Sequence, residues 1–530
     1  MFRILLQQIR RDRLTLPIWI LGTVGLLAAT ANSVAALYGA DVTQILTLAL
    51  ATPALLALRG IPNGDSLGSA VHFQSYAFLA VMIGLMNVFL ATRHGRADEE
   101  KGRRELVAAS PVSRLAPPVA TLVLGFIANG LIVVLATASY RGAGLDASGS
   151  LLSATALGVT GLAFLGLGML AGELTATSRG ANGAGTIVVL ASYALRAGGD
   201  ALGTPDFAKL TLTPAWPSWI SPIGWGQQTL AFTENRWWPV AAIGALAVVA
   251  VATALAVHAR RDLGASLLPE RTGRAAANRG LGSPVGLAWR LQVPTLIAWT
   301  VGSALLGLVL GALVTAIAGA EIDSPAVQAV LDSLGNTQGD LGDALIPAVM
   351  AIVGILAAAA GVQAVLRMRE EETDGRAEEV LAFPRSRHGW LLAFTAVGAI
   401  SVLVVLAATG LAAAAGFFAL DDPDRAWLAL GQSLVQAPAA LAFVGAAALF
   451  VGLIPRAAIA LGWGVFVAGV GLGLFGGLLD LPDEVIDASP ISHVPTLPSD
   501  DWVPTIVIAA IGFALAALAA LAFRRRDLVT

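Results

Sequence analysis

Dense runs of charged side chains stand in two short segments of a chain that is otherwise strongly apolar. The first run is Asp98-Glu99-Glu100 and the second is Glu370-Glu371-Glu372, and a glycine–arginine pair follows each, Gly102-Arg103 and Gly375-Arg376. Carboxylates and guanidiniums at this density can hold a complementary protein surface through ion pairs and charge-assisted hydrogen bonds. A merely solvated loop would explain the basic residues, but it explains poorly why the acids occur in both segments. The pattern therefore predicts two docking sites for a partner protein.

The two charged segments match one-to-one at an offset of 273 residues. In the first, the run 98–105 leads through a short helical stretch into Pro111-Val112-Ser113-Arg114, and in the second the corresponding stretch leads into Pro384-Arg385-Ser386-Arg387. We predict that the following residues make the docking contacts: Asp98, Glu99, Glu100, Gly102, Arg103, Glu105 and Pro111 in the first segment, and Glu371, Glu372, Gly375, Arg376, Glu378 and Pro384 in the second.

Catalytic and metal chemistry is poorly supported by the rest of the sequence. The chain has no cysteine, its five histidines are scattered, and no nucleophile stands near a base in a recognisable motif. A nucleotide-binding P-loop requires Gly-Xaa4-Gly-Lys-Ser/Thr, which is absent from the sequence. We therefore expect the chain to bind neither metal nor ATP itself and not to be an enzyme.

The elements that must position the charged segments are membrane-spanning helices. Of the 530 residues 56% are hydrophobic and only 13% are charged, with a mean hydropathy of +0.77, whereas soluble proteins carry about 25% charged residues. A spanning helix needs about 20 apolar residues, and the sequence contains twelve such runs: 17–37, 74–92, 117–139, 152–172, 180–197, 239–258, 293–318, 344–366, 389–415, 427–451, 457–479 and 503–523. The predicted fold is an all-α polytopic membrane protein. The net charge of −3 does not indicate nucleic-acid binding.

The twelve spans divide into two related halves. Ser221-Pro222-Ile223 recurs as Ser489-Pro490-Ile491, and Arg260-Arg261-Asp262-Leu263 recurs as Arg525-Arg526-Asp527-Leu528. Since each half has six spans, the halves are parallel repeats. We predict a first half at 1–258 that begins with an amphipathic helix, a cytoplasmic linker at 259–292, and a second half at 293–530.

The basic residues give the orientation of the chain. All but six of its 32 Lys and Arg residues lie in segments on the side of the N-terminus. Because basic residues accumulate in cytoplasmic loops, both termini are predicted to be cytoplasmic. The abundance of Ala, Gly and Arg indicates a GC-rich bacterial genome, so the expected location is a bacterial inner membrane.

The segment 98–114, Asp-Glu-Glu-Lys-Gly-Arg-Arg-Glu-Leu-Val-Ala-Ala-Ser-Pro-Val-Ser-Arg, resembles the loop after the second span of type-2 ABC exporter permeases. The doubled twelve-span layout is similar, more narrowly, to actinobacterial permeases described as exporters of polyketide antibiotics. The resemblance implies that each loop forms a coupling helix against a separate ATP-binding subunit. Two copies of that ATPase, carrying ATP and Mg, are then expected. Phe383 and Glu379 depart from the pattern in the second loop, so the two docking sites are expected to be unequal.

The same resemblance implies that the second and fifth spans of each half line a substrate cavity. The large apolar side chains that we assign to this cavity are Phe78, Met82, Met86, Phe89, Met350, Phe466 and Phe475. Such flexible and aromatic side chains suit hydrophobic or amphipathic substrates. We read the broken apolar segment 214–226 as a re-entrant or interfacial element, with a plain surface loop as the alternative.

Two other functional classes are open to a polytopic chain of this kind. A proton-coupled secondary transporter is commonly built from twelve spans in two halves, but it normally uses a carboxylate within the bilayer. No Asp or Glu falls inside the twelve runs, and the loop after the second span has the wrong spacing for that class. A membrane-embedded enzyme would need a catalytic constellation that the sequence does not offer. The sequence therefore favours the permease of an ATP-driven exporter.

Overall fold

The computed structural model describes residues 1–38, 42–268, 279–318, 341–381, 387–475 and 481–524. Its described part is almost entirely α-helical and divides into two compact units, Met1–Gly273 and Arg274–Thr530. The predicted all-α polytopic membrane fold is confirmed.

The first unit contains twelve α-helices and a short β-hairpin among its described residues. They are α1 (Phe2–Asp12), α2 (Thr15–Tyr38), α3 (Thr43–Ala51), α4 (Pro53–Arg59), α5 (Leu67–His94), α6 (Arg96–Glu100), α7 (Arg103–Ala108), α8 (Ala116–Gly142), α9 (Ala147–Leu174), α10 (Ser178–Ala201), β1 (Thr204–Asp206), β2 (Thr211–Thr213), α11 (Pro222–Gln227) and α12 (Trp238–Arg260).

Helix α9 lies at the centre of the first unit and packs against α5, α8 and α12. Its glycines allow the close approach: a Cβ at Gly161 would stand 2.0 Å from Asn129 Oδ1, and one at Gly168 would stand 2.9 Å from Val88 Cα. Small residues at helix crossings are the usual means of packing spans, because lipid supplies no hydrophobic drive between them. Asn87 and Asn129 exchange two side-chain hydrogen bonds of 2.8 and 3.1 Å at this crossing.

The connections at the end of the first unit opposite α1 are more structured than the sequence indicated. Helices α3 and α4 fill the segment after α2, with Leu46 and Leu56 buried in the core of the unit. The segment 214–226 folds as a 3₁₀ turn at Trp216–Ile220 followed by α11, and both pack against α10. The antiparallel strands β1 and β2 precede that segment. The segment 214–226 is therefore a packed element of the unit and not a plain surface loop.

The second unit contains nine α-helices among its described residues. They are α13 (Pro284–Ala318), α14 (Leu341–Thr373), α15 (Arg376–Leu381), α16 (Arg387–Phe418), α17 (Pro423–Leu434), α18 (Ala437–Leu453), α19 (Ala458–Phe475), α20 (Asp483–Ile486) and α21 (Val503–Arg524).

The core of the second unit lies where α14, α16 and α18 meet, with α13 packed on α16 and α21 on α18. Close helix crossings again depend on glycine. A Cβ at Gly398 would lie 2.9 Å from the carbonyl oxygen of Gly361, and one at Gly445 would lie 2.4 Å from the carbonyl oxygen of Gly512. Trp390 and Phe394 fill the core in an edge-to-face contact at 4.9 Å.

A helix is present at every one of the twelve predicted spans, but two of these helices differ from the other ten. Ten helical spans in the described part of the chain are long and apolar enough to cross a membrane. The exceptions are α10, which contains Arg196 and Asp200, and α19, of which 18 residues are described. They are the fifth span of each predicted half, the position that the resemblance assigns to the cavity. The end of the predicted run 457–479 lies outside the described residues.

Candidate functional site

The first charged segment forms a corner, made by α6 and α7, at the end of α5. The chain turns at Gly95 and again at Gly102, whose φ of +67° is the left-handed conformation that glycine adopts without strain. Asp98 accepts hydrogen bonds from Arg103 at 3.2 Å and from Arg11 of α1 at 2.8 Å. The acid therefore holds α7 against α6 and ties the amphipathic α1 to the corner.

Glu99 is buried at the same corner and makes its contacts within the protein. Its carboxylate accepts hydrogen bonds from Arg96 at 2.9 Å and from Arg261 at 2.8 and 2.9 Å. Arg261 also donates to Glu173 at 2.5 Å, and Glu173 bonds His258 at 2.8 Å. Burial lowers the pKa of the Arg261 guanidinium, but the hydrogen bonds and charges of the two glutamates outweigh burial and raise it overall. The corner is thereby fastened to the ends of α9 and α12.

Helix α1 is fastened to the rest of the first unit by further polar contacts. Gln8 donates to Thr121 of α8 at 3.0 Å, and Asp12 bonds Arg93 at 2.9 Å and the ring of His94. The predicted amphipathic N-terminal helix therefore shares ion pairs with α5 as well as with the α6–α7 corner.

The second charged segment forms an equivalent corner at α14 and α15. Glu372 accepts from Arg369 at 2.7 Å, and Glu371 accepts from Arg376 at 2.5 Å. Gly375 has a φ of +75°, so it turns the chain in the left-handed conformation as Gly102 does. Glu378 is exposed on α15, and Pro384 lies outside the described residues.

The ion pairs of the two corners correspond at the sequence offset of 273. The pair Arg96–Glu99 corresponds to Arg369–Glu372, and the pair Asp98–Arg103 corresponds to Glu371–Arg376. The repeated acids therefore have a shared structural role. Asp98 and Glu371 each bind an arginine on the far side of the left-handed glycine, and Glu99 and Glu372 each bind an arginine three residues earlier.

The surface that remains available to a partner is the face of α7 and the loop after it. Glu105 and Pro111 are exposed, and the side chain of Leu106 is 77% exposed. Arg103 retains 48% of its side-chain exposure although it bonds Asp98. Glu100 is exposed too and accepts a hydrogen bond of 3.0 Å from the backbone of Ser178. Whether these residues contact another protein stays a prediction.

Five residues that make ion pairs or hydrogen bonds at this corner were not among the candidates from sequence: Arg11, Arg96, Glu173, His258 and Arg261. The signal for Arg261 was the motif Arg260-Arg261-Asp262-Leu263, which closes the first half and recurs at the end of the second. The motif identifies a repeated chain end but does not say that Arg261 binds Glu99. Residues 261–268, which fall in the predicted linker, continue along the corner, since Arg96 donates to the Ala265 carbonyl at 2.9 Å.

The structure separates the candidate cavity residues into two groups. Met86, Met350 and Phe466 are buried in the hydrophobic cores of their own units. Phe78 is 38% exposed, and Met82 and Phe89 are partly exposed, all on α5. The side chain of Phe475 lies outside the described set. The prediction of a substrate-lining surface therefore depends on the three residues of α5.

Arg196, the basic residue of the fifth predicted span, is fully buried and paired. It donates to Asp200 at 3.2 Å and to the Ala57 carbonyl at 2.8 Å, and Ser218 donates to Asp200 at 2.5 Å. Because α10 extends to Ala201, Asp200 lies in this helix just beyond the predicted run 180–197, which itself holds no acid. Each oxygen of the Asp200 carboxylate thus has a hydrogen-bond partner, Arg196 for one and Ser218 for the other.

One contact of the segment 214–226 recurs in the second unit. Ser221 Oγ donates to the Ser192 carbonyl of α10 at 2.6 Å and accepts from the Ile223 amide. Ser489 Oγ donates to the Gly469 carbonyl of α19 at 2.7 Å and accepts from the Ile491 amide. In both units this serine fastens the chain after the fifth span back onto that span.

Comparison with known proteins gives two matches. Residues 281–524 match the family described as "Multidrug efflux system permease Rv1217c, C-terminal domain". The multidrug efflux system permease protein Rv1217c of Mycobacterium tuberculosis is 35% identical to the chain over 533 residues, and the match covers 98% of this chain and 93% of that protein.

Proposed function

The chain belongs to the family of multidrug efflux system permeases represented by Rv1217c, and from this premise we propose that it is the membrane permease of an ATP-driven exporter of hydrophobic or amphipathic compounds. The observation that carries the proposal is the similarity over 98% of the chain to a protein whose name states multidrug efflux. That similarity spans both charged corners and all the predicted spans.

The proposed partners are two copies of a separate ATPase subunit, which would bind ATP and Mg. The support is the equivalence of the corners at α6–α7 and α14–α15, one in each unit. Exposed Glu105 and Leu106 on α7 are suited to the first contact, and exposed Glu378 on α15 is suited to the second. In this proposal the termini and both corners lie in the cytoplasm of a bacterial cell.

The ion pairs suggest how a partner's movement would reach the spans. A force on α7 passes to α6 through Asp98 and to the ends of α9 and α12 through Glu99 and Arg261. Because these side chains are buried and hydrogen-bonded, the contacts transmit displacement instead of absorbing it. The buried acids thus act as rigid connections, and α7 acts as the docking surface.

Apolar side chains on α5 and α10 support a hydrophobic or amphipathic substrate. The Phe78 ring on α5 lies 6.3 Å from the Tyr193 ring on α10, and Ile187 and Leu190, six and three residues before Tyr193 on α10, are exposed. A strongly charged compound would be desolvated against this surface at a large cost, whereas an apolar compound would not. Antibiotics of polyketide type fit this description, as the resemblance implies.

The proposal is tested by expressing the chain with and without its ATPase in a pump-deficient strain. We expect cells with both subunits to accumulate less of a lipophilic dye and to tolerate hydrophobic antibiotics better than cells with either subunit alone. The isolated chain should hydrolyse no ATP. Transport confined to a small hydrophilic ion or sugar, or dye efflux by the chain alone that a proton uncoupler abolishes, would overturn the proposal.

A further inference from the structure

A cavity of about 330 Å³ opens beside the α6–α7 corner, between the loop that enters α8 and the end of α12. Its polar lining comes from Arg104, Ser113, Arg114, His258 and Asp262. The apolar part of its wall is formed by Val107, Ala108, Val112, Pro117 and Leu263. The cavity shares α7 and the loop after it with the docking surface described above, but neither Glu105 nor Leu106 lines it.

Arg104 is the unusual member of this lining, because its charge is buried without a partner. Its side chain is 7% exposed, and its guanidinium makes no hydrogen bond or ion pair with any residue that the structure describes. The acids nearest to it, Asp98, Glu99 and Glu173, are already bonded to other cations. Burial lowers the pKa of Arg104, yet an arginine remains protonated in proteins. The three acids act on its charge from nearby but make no direct contact with it, and a buried donor without a partner is costly, so the site favours an anion in direct contact with Arg104.

His258 adds a second unsatisfied nitrogen to the same cavity. Its Nδ1 bonds Glu173 at 2.8 Å, while its Nε2 is buried without a hydrogen-bond partner in the described part of the chain. Because a carboxylate only accepts, Nδ1 is the donor to Glu173, and Nε2 remains open to a bound group. Exposed Arg114 contributes another positive charge at the mouth, against the single carboxylate of Asp262. The cavity is thus basic as a whole.

The cavity lies at the ends of two helices whose sides face lipid. Phe126 and Val134 are exposed on α8, and Val248 and Val249 are exposed on α12. Since α8 begins at Ala116 and α12 ends at Arg260, the cavity lies at the ends of two candidate spans, and the ends of a span adjoin the headgroup region of a bilayer. Basic pockets at the ends of spans are typical binding sites for anionic lipid headgroups.

We propose that this cavity binds the phosphate of an anionic phospholipid. The guanidinium of Arg104 offers paired donors that match a phosphate, with Arg114 as a further donor. The apolar wall of Val107, Val112 and Leu263 accommodates the glycerol and the first acyl carbons. A zwitterionic lipid is disfavoured, because its ammonium group would meet Arg114.

The test measures thermal unfolding of the purified chain in detergent micelles by its tryptophan fluorescence, with added phosphatidylglycerol or phosphatidylcholine. A ligand that binds only the folded state raises the unfolding temperature in proportion to its occupancy. We expect phosphatidylglycerol to raise it, phosphatidylcholine to have little effect, and Arg104→Met to remove the response. The matched control is Arg260→Met, which removes an exposed arginine next to the cavity that does not line it; it should respond as the native chain does.

A second variant, Arg114→Glu, tests the site if Arg104→Met does not fold. Arg114 is exposed, so its substitution should not prevent folding. Reversal of its charge should raise the phosphatidylglycerol concentration needed for half of the effect by about tenfold, the loss expected for a charge-assisted contact.

Inorganic phosphate is added separately: an equal response to it at the same concentration would assign the site to a soluble anion and overturn the lipid proposal. An unchanged lipid response in both variants would also overturn it. So would a loss of ATPase binding in Arg104→Met without any change in lipid response, because the occupant would then be an acidic side chain of the partner.

Discussion

Glu99 and Arg261, which are 162 residues apart in the chain, are joined by two hydrogen bonds of 2.8 and 2.9 Å. This contact fastens the corner after α5 to the chain that leaves α12, so one ion pair joins the ends of the second and sixth predicted spans. Both side chains are nearly inaccessible, with 3% and 4% exposure. Glu99 therefore serves to hold the corner together, and a partner protein would contact α7 instead.

Charge reversal at Glu99 and at Glu105 should have different effects, because the first side chain stabilises the corner and the second lies on its exposed surface. Glu99→Lys would place a third cation beside Arg96 and Arg261, and loss of a buried ion-pair partner costs about 3–5 kcal/mol. We expect this variant to unfold at a markedly lower temperature and to be poorly retained in the membrane. Glu105→Lys, on an exposed position, should fold normally and reduce only ATPase binding. Tryptophan fluorescence gives the unfolding temperature. Equal unfolding temperatures of the two variants would show that Glu99 does not stabilise the corner.

Leu106 should be needed for coupling and not for folding. It is 77% exposed on α7, the helix that we propose as the docking surface, where it could pack against an apolar part of the partner. Leu106→Asp should leave the unfolding temperature within a few degrees of the native value while abolishing dye efflux by the chain with its ATPase. The matched control is Leu202→Asp, at a position 74% exposed after α10. Efflux that survives in Leu106→Asp, or that is lost equally in both variants, would refute a specific docking role.

The left-handed turn at Gly102 should tolerate asparagine better than alanine. A residue with a Cβ pays about 1–2 kcal/mol in this conformation, and asparagine pays less than most residues. Gly102→Ala should therefore lower efflux and the unfolding temperature more than Gly102→Asn does. Gly130→Ala is the control, since a Cβ there meets no atom within 4 Å. The same order is expected for Ala and Asn at Gly375, whose φ is +75°. Equal effects of the two substitutions would mean that backbone conformation does not decide the outcome.

The helices and the two corners could be predicted from local sequence, whereas the contacts between distant segments could not. Length and hydropathy located a helix at every predicted span, and the repeated acid–glycine–arginine pattern located both corners. No local pattern pairs Glu99 with Arg261. The sequence also gave no sign of α3 and α4, because Pro53 divides that apolar stretch into pieces too short to span. Met86 was assigned to the cavity because the resemblance names its span, and the resemblance does not say which side of that helix faces its neighbours.

The buried pair Arg196–Asp200 should be stabilising only while both partners are present. Arg196→Met leaves the Asp200 carboxylate buried with Ser218 alone and should cost about 3–5 kcal/mol. The double variant Arg196→Met with Asp200→Leu removes both charges and should recover much of that loss, since buried ion pairs are often replaceable by apolar side chains. Thermal unfolding of the native chain, both single variants and the double variant forms the cycle. A double variant as unstable as the sum of the single variants would show that the two charges act independently.

Substrate preference should respond to Phe78 and not to Met86, although both lie on α5. Phe78 is 38% exposed beside Tyr193 of α10, whereas Met86 is buried in the core of the first unit. Phe78→Ala removes apolar contact area from an open surface, so it should change the order in which hydrophobic antibiotics are exported with little change in stability. Met86→Ala leaves a cavity in a packed core and should cost about 2–5 kcal/mol, lowering export of every compound in parallel with the amount of folded protein. Resistance profiles normalised to the quantity of permease in the membrane distinguish the two effects. A reordered profile in Met86→Ala with an unchanged one in Phe78→Ala would move the substrate contacts from the exposed side of α5 to its buried side.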